Sequence, residues 1–423
     1  MKSVLLRRSY ERLVPSVVTI LIAISLIVSA ADLLQQIGLY SLPIITLLTI
    51  ISLYIAFAVF YEHHVTIRSK FYRLLDPPVP SKKKSVSIII PIRNESPSMV
   101  EETLLSIKEM RYHPLEVIVT SESEPEYQGP LMDICRRNGA ILIHGEYSQD
   151  FNAEAIRRGL KQAKGDLVGI LDSDYRVDPD WLIKAVRFFE IDWINAVQCP
   201  QSYRNLDLSI VRIADALRSM QIHKNKTRVI DNALTMTGTL VLYRRKVFEE
   251  FFTGNYVTED FASSVRMILK GKRAFYCPHR LGWGLGPLRV IDYARQQARW
   301  LDNLRIYFDY IREILTLKPR IKIIHLTYHA MQTLYHLAIS SLALMGLILL
   351  PISFRAGILI LILYAAESLY KFGYAKLHSE NLKMIDLPVW LITDFISAPF
   401  LLKELLKILA GRPSVSAITP KEG

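Results

Sequence analysis

The chain has 423 residues, of which 51% are hydrophobic, and its mean hydropathy of +0.21 is high for a soluble protein. The net charge of +12 is not distributed as in nucleic-acid-binding proteins, because the basic residues form no patch interleaved with aromatic residues. We therefore expect no nucleic-acid partner. Three widely spaced cysteines also argue against a disulfide framework or a zinc site.

The first apolar segments, residues 14–37 and 42–61, are each long enough to cross a bilayer as a helix. Basic residues precede the pair and follow it, and the short turn between the segments contains none. By the positive-inside rule, both ends of the pair face the cytoplasm. The pattern predicts a transmembrane hairpin over residues 1–75.

Residues 82–290 resemble a soluble domain, in which short apolar runs alternate with helical patterns. This alternation predicts a largely parallel sheet with helices on both faces, and ligands bind such sheets at the carboxyl ends of the strands. Residues that directly follow a strand are therefore candidates for a binding site. The predicted strands are residues 86–90, 115–120, 140–144, 167–171, 196–199 and 239–243.

The first predicted strand runs into Pro91-Ile92-Arg93-Asn94-Glu95. Glu95 is placed to accept a hydrogen bond from a ribose. The alternative is a helix N-terminus, in which Asn94 or Ser96 is the cap and Glu95 lies in the first turn.

The fourth predicted strand ends at Asp172-Ser173-Asp174. Mg²⁺ and Mn²⁺ are commonly held by one or two carboxylates together with substrate phosphates. An isolated Asp-x-Asp is more often a surface turn, but here it directly follows a buried strand. We expect Asp172 and Asp174 to bind Mn²⁺ or Mg²⁺ and, through the metal, the diphosphate of a nucleotide sugar.

Two further segments of this domain are candidates. Gly238 precedes a strand and permits close approach to a sugar, although an ordinary turn is equally compatible with it. Glu259 and Asp260 precede a helical pattern, and we assign Asp260 as a general base with Glu259 beside it in the substrate site. The alternative is a helix start capped by Thr258, with two acidic residues in the first turn.

Residues 293–317 place arginines and aromatic residues at helical spacing, which predicts an amphipathic helix on the membrane surface within residues 291–322. It carries Gln296, Arg299 and Trp300. Arg299 is suited to paired hydrogen bonds with a diphosphate, and Trp300 to packing against an acceptor sugar or lipid. Anchoring at the membrane interface is the alternative role.

The C-terminal region, residues 323–423, contains two more apolar segments of spanning length, residues 325–350 and 354–377. A last apolar segment, residues 387–409, is interrupted by charged residues and by Pro399. It is compatible with either a further crossing or an interfacial helix.

Together these residues resemble the inverting family-two glycosyltransferases with a GT-A fold, in the membrane branch that includes cellulose and hyaluronan synthases. The resemblance extends from Val86 to Trp300 and the flanking apolar helices. It rests on four motifs in the family's order: Pro91-x-x-Asn94-Glu95, Asp172-x-Asp174, Thr258-Glu259-Asp260 and Gln296-x-x-Arg299-Trp300.

The resemblance implies a Rossmann-like α/β domain with a mostly parallel mixed sheet, joined to transmembrane helices and amphipathic interface helices. It implies that Glu95 contacts the nucleoside, Asp172 the nucleotide and Asp174 the metal. Asp260 is then the base. Gln296, Arg299 and Trp300 close the donor and acceptor sites. Glu122 stands where the family usually has base-reading aspartates, and we expect it to replace them.

From the small number of spans we predict single transfer without polymer extrusion, by an integral protein of the cell membrane whose catalytic domain is cytoplasmic. The donor is a hexose nucleotide, with GDP-mannose slightly favoured over UDP-glucose because the usual base-reading aspartates are absent. The acceptor is a lipid-linked saccharide, polyprenyl phosphate or another lipid. The alternatives are a processive polysaccharide synthase and an inactive membrane scaffold of the same fold.

Overall fold

A computed structural model describes residues 2–77, 83–113, 115–146, 148, 151–254 and 256–412 of the chain. Lys82, where the predicted catalytic domain begins, and residues 413–423, at the end of the predicted C-terminal region, lie outside this part.

The helices lie in three groups along the chain, before, within and after the sheet. They are α1 Lys2–Ile37, α2 Leu42–Arg68, α3 Pro97–Lys108, α4 Pro125–Arg137, α5 Phe151–Gln162, α6 Trp181–Val186, α7 Ser209–Ile230, α8 Arg245–Phe251, α9 Glu259–Leu269, α10 Val290–Trp300, α11 Asn303–Thr316, α12 Pro319–Thr333, α13 Tyr335–Leu349, α14 Phe354–His378 and α15 Leu387–Leu409. The strands are β1 Val86–Ile92, β2 Leu115–Ser121, β3 Ile141–His144, β4 Leu167–Ile170, β5 Arg176–Val177, β6 Ile194–Gln198, β7 Val241–Arg244, β8 Arg273–Tyr276 and β9 Gly282–Trp283.

Seven strands form one sheet in the order β3-β2-β1-β4-β7-β6-β8, and β5 pairs with β9 in a separate two-stranded sheet. Strands β3, β2, β1 and β4 are mutually parallel, whereas β7 is antiparallel to both of its neighbours. The amino end of β7 therefore lies at the same sheet edge as the carboxyl ends of β1, β4 and β6. The predicted mixed, mostly parallel sheet is confirmed, and all six predicted strands are present.

The sheet is buried on both faces because the side chains of β1 alternate between two apolar clusters. Ile88 and Ile90 pack on one side with Val100 and Leu104 of α3. Ile89 packs on the other side with Ile156 of α5. Every residue of β1 is buried, as expected for a central parallel strand. This two-sided packing fixes the strand register, and with it the position of each loop at the carboxyl edge.

A helical bundle formed by α1, α2, α13, α14 and α15 packs beside this domain. The apolar residues that α1, α2, α13 and α14 bury against one another form a single cluster, which includes Leu33, Leu48, Ile55, Leu342 and Ile360. By length and composition, three helical segments of the described chain could cross a membrane: Ile20–Phe71, Phe354–His378 and Met384–Leu409. The first contains residues 20–37 of α1 and all of α2.

Helix α7 joins the sheet domain to the bundle through buried ion pairs. Glu62 of α2 accepts from Lys224 of α7 and from Lys371 of α14, both at 2.7 Å. Near the start of α7, Arg212 binds Asp386 through Nε and Nη2. Buried charges are tolerated only when they are paired, so these contacts hold the two parts of the molecule in one arrangement.

Two long helical predictions are interrupted in the structure. The amphipathic segment of residues 293–317 forms two helices, α10 and α11, because the chain turns at Leu301 and Asp302. Leu301 is buried at this turn with Leu401 and Ile408 of α15. The apolar face of α11 is divided: Ile306 packs on α9, whereas Phe308 and Leu315 stay exposed.

The predicted span of residues 325–350 is likewise divided, at Leu334, between α12 and α13. No proline or glycine lies near Leu334, so the sequence contains no signal for this interruption. Residues 387–409, whose course the sequence left open, form the continuous helix α15 in spite of Pro399.

We predict that the Arg212–Asp386 pair is required for stability. Asp386→Asn leaves a buried guanidinium without its charged partner and should lower the free energy of unfolding by about 3 kcal/mol. Thermal unfolding in detergent measures this loss. Arg136→Gln, which removes an exposed pair with Asp133, is the control and should change stability by less than about 0.5 kcal/mol. An unchanged melting temperature for Asp386→Asn would contradict the prediction.

Candidate active site

The loop after β1 carries Glu95 to the carboxyl edge of the sheet. Ser96 caps α3 by accepting a hydrogen bond from the backbone N–H of Met99 at 3.3 Å. Asn94, at a φ of 58°, is not the cap. Its side-chain oxygen accepts from the backbone N–H of Glu124 at 2.9 Å. Glu95 thus precedes the helix, and its carboxylate accepts from the backbone N–H of Arg93.

The loop after β4 carries Asp172 and Asp174. The backbone N–H of Asp172 donates to the Thr239 hydroxyl at 3.0 Å. Oδ2 of Asp174 accepts from the backbone N–H of Leu285 at 2.8 Å, and Asp174 is only 2% exposed. A carboxylate so deeply buried is costly without a compensating positive charge or hydrogen bonds. The chemistry of this pair therefore suits a hard cation.

Gly238 lies between Thr237 and Thr239, in the loop that enters the antiparallel strand β7. Its φ is +73°, in the left-handed region, and a Cβ added to it would lie 3.1 Å from Oδ2 of Asp260. Glycine is thus required here on two grounds: backbone conformation, and close approach of the Asp260 carboxylate.

Glu259 and Asp260 begin helix α9, and Thr258 holds the N-cap position without a side-chain capping bond. Oδ1 of Asp260 accepts from the backbone N–H of Phe261 at 2.8 Å. Burial raises the pKa of Asp260 to about 6, against the lowering effect of backbone hydrogen bonds and of Arg299 and Arg218. Burial, followed by repulsion from Asp260, raises the pKa of Glu259 well above 4.5. Of the two carboxyls, Glu259 thus retains its proton more readily.

Helix α10 places Gln296, Arg299 and Trp300 on one face, because residues three and four apart are neighbours on a helix. Arg299 lies in the field of Glu259, Asp172 and Asp260, which counteracts the lowering of its pKa by burial. The guanidinium of Arg218, on α7, lies 4.9 Å from the centre of the Trp300 ring.

These residues converge on one cavity of about 520 Å³, here called the wide cavity. Of the ten residues predicted for the site, nine line it: Glu95, Asp172, Asp174, Gly238, Glu259, Asp260, Gln296, Arg299 and Trp300. They come from the ends of β1 and β4, the start of β7 and the helices α9 and α10, segments that are far apart in sequence.

Glu122 is the exception, since it does not line the wide cavity. Its carboxylate is buried between Arg93 and Arg158, with Oε1 2.9 Å from Nη1 of Arg158, and it also accepts from the backbone N–H of Ser148 at 2.9 Å. Arg93 itself does line the cavity. Glu122 thus holds Arg93 by an ion pair, and its own carboxylate does not line the wide cavity.

Among the lining residues that the sequence patterns did not indicate are Gln201, Tyr203 and Arg218. The first two follow β6, so the rule that ligands bind after the carboxyl ends of strands would have identified them. Arg218 has no comparable signal, because α7 buries polar residues on most of its faces and has no separate apolar stripe.

A second, narrow cavity of about 170 Å³ adjoins the wide one. Asp260, Trp300 and Arg218 belong to the wall that the two cavities share. Beyond this wall the narrow cavity extends along α7 to Arg228, and to Thr333 and His336 on either side of the break between α12 and α13.

No group of three or more potential metal-ligating His, Cys, Asp or Glu side chains occurs in the described ranges. A divalent cation at Asp172 and Asp174 would therefore need further oxygen ligands from a substrate. This is the usual arrangement for Mg²⁺ or Mn²⁺ bound with a diphosphate.

Comparisons with known proteins bear on the whole domain. A family model described as "Glycosyltransferase like family 2" matches residues 83–303. The poly-beta-1,6-N-acetyl-D-glucosamine synthase of Staphylococcus aureus is 23% identical over 222 residues, which cover 51% of this chain and 54% of the relative. The synthase of the same name from Staphylococcus epidermidis is 22% identical over 222 residues. The chain thus spans about half the length of the curated relatives that it matches.

Among solved structures, the chain resembles the mannosyltransferase PcManGT from Pyrobaculum calidifontis, determined in complex with GDP-Man and Mn²⁺. The TM-score is 0.57 at 21% sequence identity, and the likeness covers 83% of this chain and 94% of that one. At this identity the likeness establishes the fold alone. The predicted GT-A architecture is confirmed.

We predict that Gly238→Ala is more destabilising than Gly271→Ala. Both glycines have φ near +70°, but nothing lies within 4 Å of a Cβ at Gly271, whereas Asp260 is contacted at Gly238. In each variant, alanine in this left-handed backbone conformation should cost about 1 kcal/mol. Melting temperatures in detergent measure the additional loss at Gly238. An equal decrease in melting temperature for the two variants would show that the Asp260 side chain can move away from the added Cβ without loss of stability.

Proposed function

The chain belongs to the glycosyltransferase-like family 2, and from that premise we propose that it transfers one hexose, with inversion, from a nucleotide sugar to a lipid acceptor. One observation carries the proposal. An acidic pair that suits a metal ion, a carboxyl with a raised pKa and a half-buried arginine, all from separate elements, face the same wide cavity. Each of these groups has a distinct task in glycosyl transfer.

On the donor side, Asp174 and Asp172 are the residues that would hold Mn²⁺ or Mg²⁺. When bound, such an ion neutralises the charge that develops on a diphosphate leaving group. Arg299 is oriented into the same cavity and contributes a second positive charge with paired donors. Glu95, which also lines the wide cavity, is the candidate contact for the nucleoside.

On the acceptor side, Asp260 is the proposed general base. Its pKa of about 6 keeps it ionised at neutral pH, yet it remains basic enough to take a proton from a hydroxyl. Neighbouring Glu259 has the higher pKa, so when only one of the two carboxyl groups is protonated, the proton is on Glu259. Gly238 permits the close approach of the Asp260 carboxylate to the loop where a sugar would lie.

For the donor we favour GDP-mannose slightly over UDP-glucose. The absence of the usual base-reading aspartates motivated this choice, and the burial of Glu122 between two arginines removes the acidic substitute from the cavity. The structurally similar mannosyltransferase was determined with GDP-Man, which is consistent with this choice.

The position of the cavities supports a lipid or lipid-linked acceptor. Trp300 belongs to their shared wall, and the narrow cavity ends at helix α13 of the bundle. Three helical segments have the length and composition of membrane spans. We propose an integral protein of the cell membrane, with the catalytic domain on the cytoplasmic side as the positive-inside rule indicates.

The second candidate function is processive polysaccharide synthesis. The names of the curated relatives favour it, since they are polymer synthases. Product length discriminates the two functions: a donor-only assay yields polymer from a synthase and no extended product from a single-transfer enzyme. The third possibility, an inactive scaffold, predicts no binding of any nucleotide sugar.

The roles of the two carboxylates can be separated by substitution. Asp174→Ala should abolish the Mn²⁺-dependent part of nucleotide-sugar binding, whereas Asp260→Asn should retain binding and lose at least about a hundredfold in transfer. Binding of GDP-mannose and UDP-glucose to the purified full chain, with and without Mn²⁺, is measured by thermal shift, and transfer by nucleotide release.

Asp178→Asn is a suitable control, because this aspartate follows β5 and does not line the wide cavity. Its nucleotide release should equal that of the wild type. Unchanged transfer by Asp260→Asn would remove Asp260 from the role of base. Failure of the wild type to bind any nucleotide sugar would refute the proposed function itself.

The pH dependence of transfer follows from the same residue. Since Asp260 acts as a base only when deprotonated, and its pKa is about 6, kcat/KM should be nearly level above pH 7 and about tenfold lower at pH 5. Arg218 and Arg299 lower the pKa of Asp260, so Arg218→Gln should move this acidic limb to higher pH. The absence of an acidic limb in the wild type, or a limb that Arg218→Gln does not move, would exclude Asp260 as the titrating base.

A further inference from the structure

The narrow cavity contains an unusual number of buried polar atoms without hydrogen-bond partners in the described part of the chain. They belong to six lining residues: Gln201, Arg228, Thr258, Gln296, Asn303 and Thr333. Natural proteins leave few buried polar groups unpaired, and a cluster of them around one space needs an explanation. A polar ligand that occupies the cavity provides one.

Arg228 is the charged member of this group and is only 2% exposed. Its unpartnered atoms are Nε and Nη2, the two nitrogens of the edge with which arginine binds a carboxylate or phosphate in a bidentate manner. The same edge is occupied in other arginines of this chain. Arg68 holds Asp231 with it, and Arg212 holds Asp386.

The acidic side chains near Arg228 are paired with other groups. Asp231, three residues further along the chain, accepts from Arg68 at 2.6 Å and from Tyr328. Glu62 is bound by Lys224 and Lys371. The Arg228 guanidinium lies 5.9 Å from the centre of the Tyr328 ring and also interacts with the hydroxyl of Tyr61. Neither contact is with a carboxylate, so neither neutralises its charge. A buried, uncompensated guanidinium is costly unless an anion joins it.

The break at Leu334 adds to this preference. Thr333 and His336 line the cavity on either side of it, so the N-terminus of α13 borders the same space. No side chain caps this helix start. The first N–H groups of a helix and its dipole favour an anion, and here they lie on the same cavity as Arg228.

We propose that the narrow cavity binds the phosphate of a phosphate-bearing lipid acceptor, with the Nε–Nη2 edge of Arg228 as its principal ligand. The reactive hydroxyl, which belongs to a sugar attached to the lipid through that phosphate, then lies at the shared wall beside Asp260. This inference rests on the proposed transferase function and specifies the acceptor class. Arg228 is a positioning residue in this scheme, since it holds the acceptor and not the reacting atoms.

Direct binding to the full-length protein in detergent tests the proposal. The probes are farnesyl phosphate, farnesol and inorganic phosphate, each titrated by thermal shift or thermophoresis. We expect farnesyl phosphate to bind more tightly than farnesol, and Arg228→Gln to weaken the phosphate ligand at least about tenfold. Arg228→Lys, which keeps the charge but loses the paired geometry, should recover part of the affinity. Arg136→Gln, on the surface, should change nothing.

Stability separates this role from a structural one. Removing an arginine that stabilises the fold would lower the melting temperature. Removing an uncompensated one should leave it unchanged or raise it, so Arg228→Gln without ligand should melt no lower than the wild type. A melting temperature several degrees lower would overturn the argument from the missing partner.

Several outcomes would overturn the proposal. These are equal binding of farnesyl phosphate and farnesol, unchanged binding in Arg228→Gln, and no binding of farnesyl phosphate to the wild type. Competition by inorganic phosphate would support recognition of the phosphate itself. Tight binding of inorganic phosphate without any gain from the farnesyl tail would refute the lipid acceptor. GDP-mannose binding with Mn²⁺, measured on the same preparations, reports separately on the proposed transferase function.

Discussion

The repulsion among the carboxyl groups gathered at one sheet edge is the constraint on which the site depends. Asp172, Glu259 and Asp260 act on one another and on Arg299 within a single cavity. Burial makes the ionised forms still less favourable. Three features compensate: backbone N–H groups at the start of α9, the half-buried Arg299, and retention of a proton by Glu259. Remove any of these, and the carboxylates could not lie so close together at neutral pH.

This constraint explains why parts of the chain outside the sheet are needed for the site. The compensating arginines, Arg218 and Arg299, come from helices α7 and α10. Both helices also contact the helical bundle. Helix α7 is fixed to the bundle by Lys224 and Arg212, and the turn after α10 is held against α15 by Leu301. The electrostatics of the site are therefore coupled to the packing of the helical bundle, and disturbing the bundle would disturb Asp260.

The sequence was sufficient wherever a local pattern determines the structure. Continuous apolar runs identified six strands, and residues directly after strands led to Asp172, Asp174 and Glu95. The two-residue strands β5 and β9 are too short to show a pattern. Arg218 and Arg228 could not be recognised, because their importance depends on which neighbours are already paired. The ion pairs of Glu122 could not be predicted for the same reason, since Arg93 and Arg158 are brought to it only by the fold.

The two cavities differ in the sign of their charge, and this difference can sort two anionic ligands. The wide cavity is lined by five carboxyl groups and three arginines, so the excess of acidic groups favours a diphosphate that is accompanied by a divalent cation. The narrow cavity is lined by Arg228 and Arg218, with Asp260 as its single acidic lining residue, and attracts an anion without a metal. In the proposed arrangement the donor and acceptor phosphates are therefore not interchangeable. Asp260, in the shared wall, lies where the two ligands meet, which is where a base for the transfer is required.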